Sequence, residues 1–142
     1  AVKKSVGLVA NLLKKSTNHF SMECENGLSI FKGNSQRIEQ VIINLLVNAC
    51  QALTSNSQPI SISTFYDEQN QSICIQITDH GKGMPQETLD RITDPFYTTK
   101  REEGGTGLGL SICDKIIKDH GGSMTFTSEL GKGTTANVSI PL

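Results

Sequence analysis

The sequence lacks tryptophan, and aromatic residues make up only 5% of its 142 residues. A surface that stacks nucleic-acid bases needs aromatic side chains, and a formal net charge of −1 offers no general attraction to a phosphate backbone. No apolar run approaches the ~20 residues that cross a bilayer. We therefore expect no nucleic acid and no membrane among its partners, and a single domain over residues 1–142.

Closely spaced cysteine pairs are also absent. The four cysteines are Cys24, Cys50, Cys74 and Cys113; they form no CxxC pair, and each lies among apolar residues of a predicted helix or strand. Zinc sites use such pairs, and disulfide frameworks are typical of small secreted domains. The pattern favours buried free thiols in a reducing compartment.

The most strongly patterned stretch is residues 37–53, RIEQVIINLLVNACQAL. Its apolar residues recur at the spacing of a helix that packs into a core. Asn44, Asn48 and Gln51 lie on one narrow strip of this helix. An unpartnered buried amide costs roughly 1–3 kcal/mol, so the strip either bonds to neighbouring backbone or faces a polar ligand. The predicted core stripe is Ile38, Val41, Ile42, Leu45, Ala49, Ala52 and Leu53, with Ile43, Val47 and Cys50 on the far side.

Shorter patterns complete a fold prediction. The predicted helices cover residues 2–15, 37–53, 86–91 and 108–119, and the predicted strands cover residues 18–25, 28–32, 60–66, 72–78, 123–129 and 134–141. Consecutive strands are expected to pair as hairpins, with helices between the pairs. This order indicates an α+β fold, a two-layer sandwich with a mixed β-sheet and helices on one face.

The loop of residues 79–84, DHGKGM, follows one of the clearest predicted strands. Asp79 ends that strand, where its carboxylate could accept a hydrogen bond from an amino group such as that of adenine. Gly81 and Gly83 permit backbone conformations closed to other residues and leave room for a flat ligand. The alternative is an ordinary strand-to-helix turn that Asp79 caps.

Glycine is abundant, with 13 residues concentrated in the second half, and four of them lie in GGTGLGL, residues 104–110. They lead into a helix N-terminus, where backbone N–H groups and the helix dipole favour an anion. The stretch is not a P-loop, because no GK[ST] follows the glycines and no strand precedes them. It predicts phosphate binding; the alternative, a flexible linker, fits less well because a patterned helix follows at once.

Two further stretches are weaker signals. In DPFYTTK, residues 94–100, the aromatic residues could pack a mobile flap and Lys100 could meet a phosphate. The alternative is a surface loop anchored by Phe96. The stretch GKGT, residues 131–134, reads by itself as a hairpin turn.

The order and spacing of these motifs resemble the ATP-binding catalytic domain of sensor histidine kinases, within the GHKL group of ATPases and kinases. The resemblance runs from about residue 18 to residue 142 and joins the two asparagines, DHGKGM, DPFYTTK, GGTGLGL and GKGT. The QAL after the asparagines, PFYTTK, and the short stretch between it and the glycines resemble the nitrogen-regulation type of these kinases.

The resemblance implies ATP and Mg²⁺ as cofactors and a role for each motif. Asn48 would ligate Mg²⁺ through its amide oxygen, and Asn44 would contact a phosphate or a metal-bound water. Asp79 would accept from the adenine amino group, and Thr134 would hold an ordered water against the adenine. Catalysis is assigned to Asn44 and Lys100. The implied nucleotide-binding set is Asn44, Asn48, Gln51, Asp79, Gly81, Gly83, Met84, Thr98, Thr99, Lys100, Gly105, Thr106, Gly107, Leu108, Gly109 and Thr134.

Two positions depart from the family pattern. Many members carry lysine and then an aromatic residue shortly after the metal-binding asparagine, where this chain has Gln51 and Ala52. Thr93 precedes DPF, where an apolar residue is usual. The first departure weakens the expectation of a phosphate contact from this helix, and the second predicts a more loosely packed lid.

ATP-hydrolysing relatives carry a glutamate general base where this chain has Asn44, so we expect slow intrinsic hydrolysis. The resemblance implies transfer to a histidine instead, but His19, His80 and His120 lack an H-E-x-x-[NT]-P context. The acceptor is therefore expected on a dimerisation domain upstream, with residues 1–17 as a candidate linker helix. A response regulator and a cytoplasmic location are further expectations. The alternatives are a GHKL ATPase and a nucleotide-sensing module without catalysis.

Overall fold

The structure, a computed structural model, describes residues 2–24, 35–90 and 109–141. Its helices are α1 (Val2–Leu8), α2 (Ala10–Ser16), α3 (Ser35–Ala52), α4 (Gln86–Leu89) and α5 (Gly109–Asp119); its strands are β1 (Phe20–Cys24), β2 (Ile60–Asp67), β3 (Ser72–Asp79), β4 (Ser123–Glu129) and β5 (Gly133–Pro141). The strand predicted over residues 28–32 lies outside the described residues. None of the described helices is long and apolar enough to span a membrane.

The five described strands form one mixed sheet in the order β1-β2-β3-β5-β4. The β2–β3 and β4–β5 pairs are antiparallel hairpins, as the sequence predicts, and β3 also pairs antiparallel with β5. β1 pairs in parallel with β2, a pairing that the hairpin pattern does not predict, and its predicted hairpin partner, residues 28–32, lies outside the described residues. A parallel pair needs a crossover connection, and the chain between these two strands contains α3.

Burial alternates along the central strands. On β3, Ile75 and Ile77 are buried and Gln76 between them is only half-buried. Their partners on β5, Val138 and Ala136, are buried as well. Successive side chains point to opposite faces of a sheet, so the buried residues share one face. This face forms a single core with α3 and α5, which confirms the predicted α+β sandwich.

α3 supplies much of the core and contacts α1 and α2 as well as the sheet. This coverage on more than one side explains two departures from the predicted stripe. Leu46 lies outside the predicted stripe but is fully buried, and Cys50 belongs to the predicted far side but is only 7% exposed. The stripe residues confirmed as buried are Ile38, Val41, Ile42, Leu45 and Ala49, whereas Ala52 and Leu53 are half-buried.

The single helix predicted over residues 2–15 is wrong, because the chain leaves helical geometry at Val9, with φ −112° and ψ 16°. The interruption separates α1 from α2, and both contact α3. Ser5, Val9 and Leu13 are buried, and the Ser5 hydroxyl donates to the Glu39 carbonyl of α3 at 3.5 Å. Two short helices follow the surface of α3 where one straight helix would leave it.

Candidate functional site

A row of three polar side chains crosses one end of the sheet. Strand pairing places Asp79 of β3 opposite Thr134 of β5, and Thr134 opposite Ser128 of β4. Each lies two positions from a residue of the core face, such as Ile77 or Ala136, so the row lies on the face that the helices cover. The apolar core thus ends in a polar edge that can recognise polar groups of a ligand.

Asp79 is nearly buried, with 6% of its surface exposed. Its Oδ1 accepts a 2.9 Å hydrogen bond from the Gly81 N–H, so the capping role weighed as the alternative is present. A carboxylate has about four acceptor sites, so capping does not prevent it from accepting from a ligand. A nearly buried carboxylate held by backbone fits the role predicted for Asp79.

Ser128 joins the Asp79 loop to the β4–β5 hairpin. Its Oγ accepts from the Met84 N–H at 2.8 Å, lies 2.8 Å from Thr134 Oγ1 and donates to the Gly133 carbonyl at 3.0 Å. No local sequence pattern points to Ser128 as a site residue. Alternation along β4 could have placed it on the core face, but only the strand register identifies Thr134 as its partner.

The glycines of the Asp79 loop allow close backbone packing. A Cβ on Gly81 would collide with the Ala52 carbonyl at the end of α3, and that carbonyl accepts from the Lys82 N–H at 2.9 Å. Gly83 has φ +68°, and its Cβ would collide with the Glu129 carbonyl. The loop is thereby fixed between α3 and the β4–β5 hairpin. The predicted role of these glycines in shaping a ligand slot stays a prediction.

α5 runs antiparallel to α3, and two contacts show which residues of the two helices lie side by side. Arg37, near the start of α3, forms a 3.3 Å salt bridge with Asp119 at the end of α5. In the middle of both helices, Asn44 Nδ2 donates to Cys113 Sγ at 3.5 Å. The salt bridge is exposed, so it contributes ~1 kcal/mol at most, but it shows which ends of the two helices meet.

The N-terminus of α5 therefore lies at the Asn48 end of α3. Asn48 and Gly109 are each four residues beyond the central contact, about 6 Å along two antiparallel axes. The same end of α3 packs on the loop after Asp79. The amide strip, the polar row and a helix N-terminus that favours anions thus meet at one end of the domain.

The amide strip is partly accessible. Asn44 and Asn48 are half-buried and Gln51 is exposed. Asn44 is compatible both with bonding inside the protein and with contacting a polar ligand. Its Nδ2 donates to the buried Cys113 thiol, while its side chain stays partly open to solvent. Within the described residues, no buried side-chain nitrogen or oxygen lacks a hydrogen-bond partner.

Several predicted nucleotide-binding residues lie outside the described ranges: Thr98, Thr99, Lys100, Gly105, Thr106, Gly107 and Leu108. Their roles stay predictions. Gly109 is the first residue of α5, so the predicted glycine-to-helix junction begins the helix as expected.

The described residues fit a nucleotide-bound Mg²⁺ better than a structural metal. In residues 2–24, 35–90 and 109–141, no group of three or more His, Cys, Asp or Glu side chains could hold a metal ion. Mg²⁺ bound with a nucleotide takes one or two protein oxygens and completes its shell with phosphate and water. The amide oxygen of Asn48, level with the start of α5, is a donor of that kind.

Cys50, Cys74 and Cys113 are free thiols, as the sequence predicts. Burial is the main cause that raises the pKa of all three thiols. Cys113 is fully buried and Cys50 is nearly so. The Asn44 side chain, bonded to Cys113, opposes this rise in pKa only in part.

We expect Cys50, Cys74 and Cys113 of the folded chain to react slowly with thiol reagents at pH 8, because raised pKa values leave little thiolate. In a Cys24→Ser background, half-buried Cys74 should react first and Cys113 last. Mass spectrometry of a timed labelling reaction would measure the order, and urea-unfolded protein provides the control in which all three react at similar rates. Fast labelling of Cys113 in the folded chain would contradict the arrangement of α3 against α5.

Comparisons with known proteins agree with this geometry. Residues 33–142 match the family described as histidine kinase-, DNA gyrase B- and HSP90-like ATPase. Sporulation kinase C of Bacillus subtilis is 41% identical over 113 residues, which cover 80% of this chain and 25% of that protein. Sensor histidine kinase ZraS of Escherichia coli is 38% identical over 111 residues, or 78% of this chain and 23% of that protein. The chain thus spans about a quarter of these relatives.

A solved structure of similar fold is the catalytic domain of histidine kinase ThkA, with a TM-score of 0.83 and 33% sequence identity. The match covers 99% of this chain and 90% of that one, so it includes the sheet, α3 and α5 together. Because the family match covers more than half of its residues, the chain belongs to the family of histidine kinase-, DNA gyrase B- and HSP90-like ATPases.

Proposed function

We propose that this chain is the ATP-binding catalytic domain of a two-component sensor histidine kinase, which transfers the ATP γ-phosphoryl group to a histidine on a separate dimerisation domain. The observation that carries the proposal is the meeting of three elements at one end of the domain. These are the Asp79–Thr134 pair, the Asn48 end of α3 and the N-terminus of α5. Relatives named as histidine kinases support the same function.

Each element has one task in this proposal. Asp79 and Thr134 receive the adenine, and the backbone at the start of α5 receives phosphate, because N–H groups and the helix dipole at a helix N-terminus favour anions. Asn48 offers an amide oxygen to the metal. Bound Mg²⁺ supplies neutralisation of phosphate charge. We assign the residues of the predicted lid and glycine loop, from Thr98 to Leu108, to the remaining phosphate contacts.

Asn44 favours transfer over hydrolysis. An amide cannot take a proton from water, so the chain offers no general base at this position. The Nδ2–Cys113 contact also holds the Asn44 side chain in place. Phosphoryl transfer then depends on positioning an external nucleophile and on neutralising charge, as is general for this reaction.

The acceptor histidine belongs to another part of the full protein in this proposal. His120 lies at the C-terminal end of α5, where its Nδ1 is 2.8 Å from the Ile116 carbonyl, and that end is opposite to the nucleotide end of the helix. We propose that residues 1–142 form a single domain and that its first 17 residues connect it to an upstream dimerisation and phosphoacceptor domain. A response regulator as downstream partner, a cytoplasmic location and a nitrogen-regulation-like subtype complete the proposal.

The proposal predicts nucleotide binding without self-phosphorylation. Calorimetry should detect saturable ADP and ATP binding that tightens when Mg²⁺ is added. With ATP labelled in its γ-phosphate, the chain alone should acquire no stable label and release phosphate slowly. The dimerisation domain of the same protein, when added, should acquire an acid-labile label.

Each alternative gives a different result in this experiment. Steady phosphate release without a partner would favour a GHKL ATPase, and binding without transfer to the added acceptor domain would favour a nucleotide-sensing module. A folded chain that ignores adenine nucleotides at millimolar concentration with Mg²⁺ present would contradict all three functions.

A further inference from the structure

Ser128 lies at the centre of three hydrogen-bond contacts. Its hydroxyl is 3.0 Å from the Gly133 carbonyl oxygen and 2.8 Å from Thr134 Oγ1, and it accepts from the Met84 N–H at 2.8 Å. Ser128 and Thr134 are directly paired across β4 and β5, so both hydroxyls are held by the sheet.

The number of available hydrogens fixes the direction of these bonds. A hydroxyl group carries one hydrogen and two acceptor lone pairs. The Gly133 carbonyl can only accept, so its contact uses the single hydroxyl hydrogen of Ser128. The Ser128–Thr134 contact must then use the hydroxyl hydrogen of Thr134. Thr134 is therefore left with lone pairs, and no hydroxyl hydrogen, to offer to any other group.

We propose that Ser128 is a positioning residue that sets base selectivity by keeping Thr134 a hydrogen-bond acceptor. This inference rests on the proposed ATP-binding function. Asp79, directly opposite Thr134 on β3, is also an acceptor, and directly paired side chains have Cβ atoms about 4.5–5.5 Å apart. Two neighbouring acceptors attract the 6-amino group of adenine, directly or through one water, and repel the 6-oxo group of hypoxanthine.

Removal of the Ser128 hydroxyl changes this selectivity. In Ser128→Ala, the Thr134 hydroxyl loses its acceptor and is free to rotate, so its hydrogen can go to the neighbouring Asp79 carboxylate or to a 6-oxo group. Either bond weakens the pair of acceptors that selects the 6-amino group. The substitution also removes the acceptor of the Met84 N–H, but that loss should weaken the binding of nucleotides with any base equally. The ratio of affinities for two bases therefore separates the positioning role from a general structural one.

The test measures the affinities of the 142-residue chain for ADP and inosine diphosphate, by displacement of a ribose-labelled ADP. These ligands differ only at the purine 6-position and the adjoining ring nitrogen. We expect Ser128→Ala to lower the preference for ADP by about threefold to tenfold, the range for one hydrogen bond. Ser128→Thr keeps a hydroxyl and should keep the preference. Ser128→Cys, which preserves side-chain shape but bonds weakly, should lower it and decides the question if the alanine variant does not fold.

Thr135→Val is the matched control. Thr135 follows Thr134 on β5 but pairs with Thr78 on the opposite face, through a similar contact of 3.1 Å between hydroxyls. This variant loses an inter-strand hydroxyl pair and should keep the wild-type preference. If Ser128→Ala and Ser128→Cys weaken both nucleotides equally, the inference is overturned while the proposed function stands. If the wild-type chain binds no ADP, the proposed function itself fails.

Discussion

Asp79→Asn is expected to weaken ADP binding by about 10- to 100-fold while the domain stays folded. Asparagine has almost the same shape as aspartate, and its Oδ1 can still accept from the Gly81 N–H, as Asp79 does at 2.9 Å. That bond fixes the orientation of the amide. Its Nδ2 hydrogens then occupy the place from which the second carboxylate oxygen would accept.

The expected loss has two physical sources. A hydrogen bond to a charged acceptor contributes roughly 1.5–3 kcal/mol, which corresponds to one to two powers of ten in affinity. The amide hydrogens would also face the hydrogens of the adenine amino group, so donor meets donor. Calorimetric titration with ADP and Mg²⁺ measures the change, and circular dichroism confirms the fold.

Asp67→Asn is a closely matched control. Asp67 ends β2 at the opposite end of the sheet, and its Oδ1 accepts from the backbone N–H two residues on, at Gln69, as Asp79 does from Gly81. The substitution is therefore the same chemical change at a carboxylate with the same kind of backbone contact, although Asp67 Oδ2 also accepts from Asn70 Nδ2 at 2.8 Å. ADP affinity should remain at the wild-type value in this control. Wild-type affinity in Asp79→Asn would remove the adenine assignment.

Gly83→Ala is expected to destabilise the domain by more than ~3 kcal/mol, the upper range for one substitution. At φ +68°, a side chain costs about 1–2 kcal/mol before any collision is counted. The new Cβ would also meet the Glu129 carbonyl, and a backbone atom of the β4–β5 hairpin cannot move without disturbing the sheet. Urea unfolding gives the change in the free energy of unfolding.

Gly131→Ala separates the two contributions. Gly131 lies in the turn between β4 and β5 with φ +83°, and a Cβ added there meets no heavy atom within 4 Å. This variant should show only the cost of the left-handed backbone, about 1–2 kcal/mol. The difference between the variants measures the collision at Gly83. Equal losses in both would show that the Asp79 loop does not pack closely on the hairpin.

The elements that local patterns predict best are those with a single strong period. α3 was predicted within about two residues at each end, and β2 to β5 within one residue, because burial of one face imposes a period that neighbouring residues display. The N-terminal segment failed at Val9, since its helical period continues across the break. The break reflects contacts with α3, which lie far away in sequence.

The candidate site likewise contains residues that local sequence patterns reveal and residues that only the fold reveals. Asp79 was identified because a carboxylate at the end of an apolar strand is locally conspicuous. Ser128 was not, since one serine in a strand that contains four Ser and Thr residues carries no local signal. The parallel pairing of β1 with β2 was missed for the same reason: a strand's own pattern does not name its partner.

The sequence by itself determined the positions of α3, α5 and β2 to β5, which motifs the chain carries and to which family their order points. Periodicity and residue chemistry are local properties, so they can be read from neighbouring residues. Only the tertiary structure decided that Thr134 lies between Asp79 and Ser128, and that the start of α5 lies level with Asn48. Strand register and helix level are set by contacts between distant segments, and these arise only when the core packs as a whole.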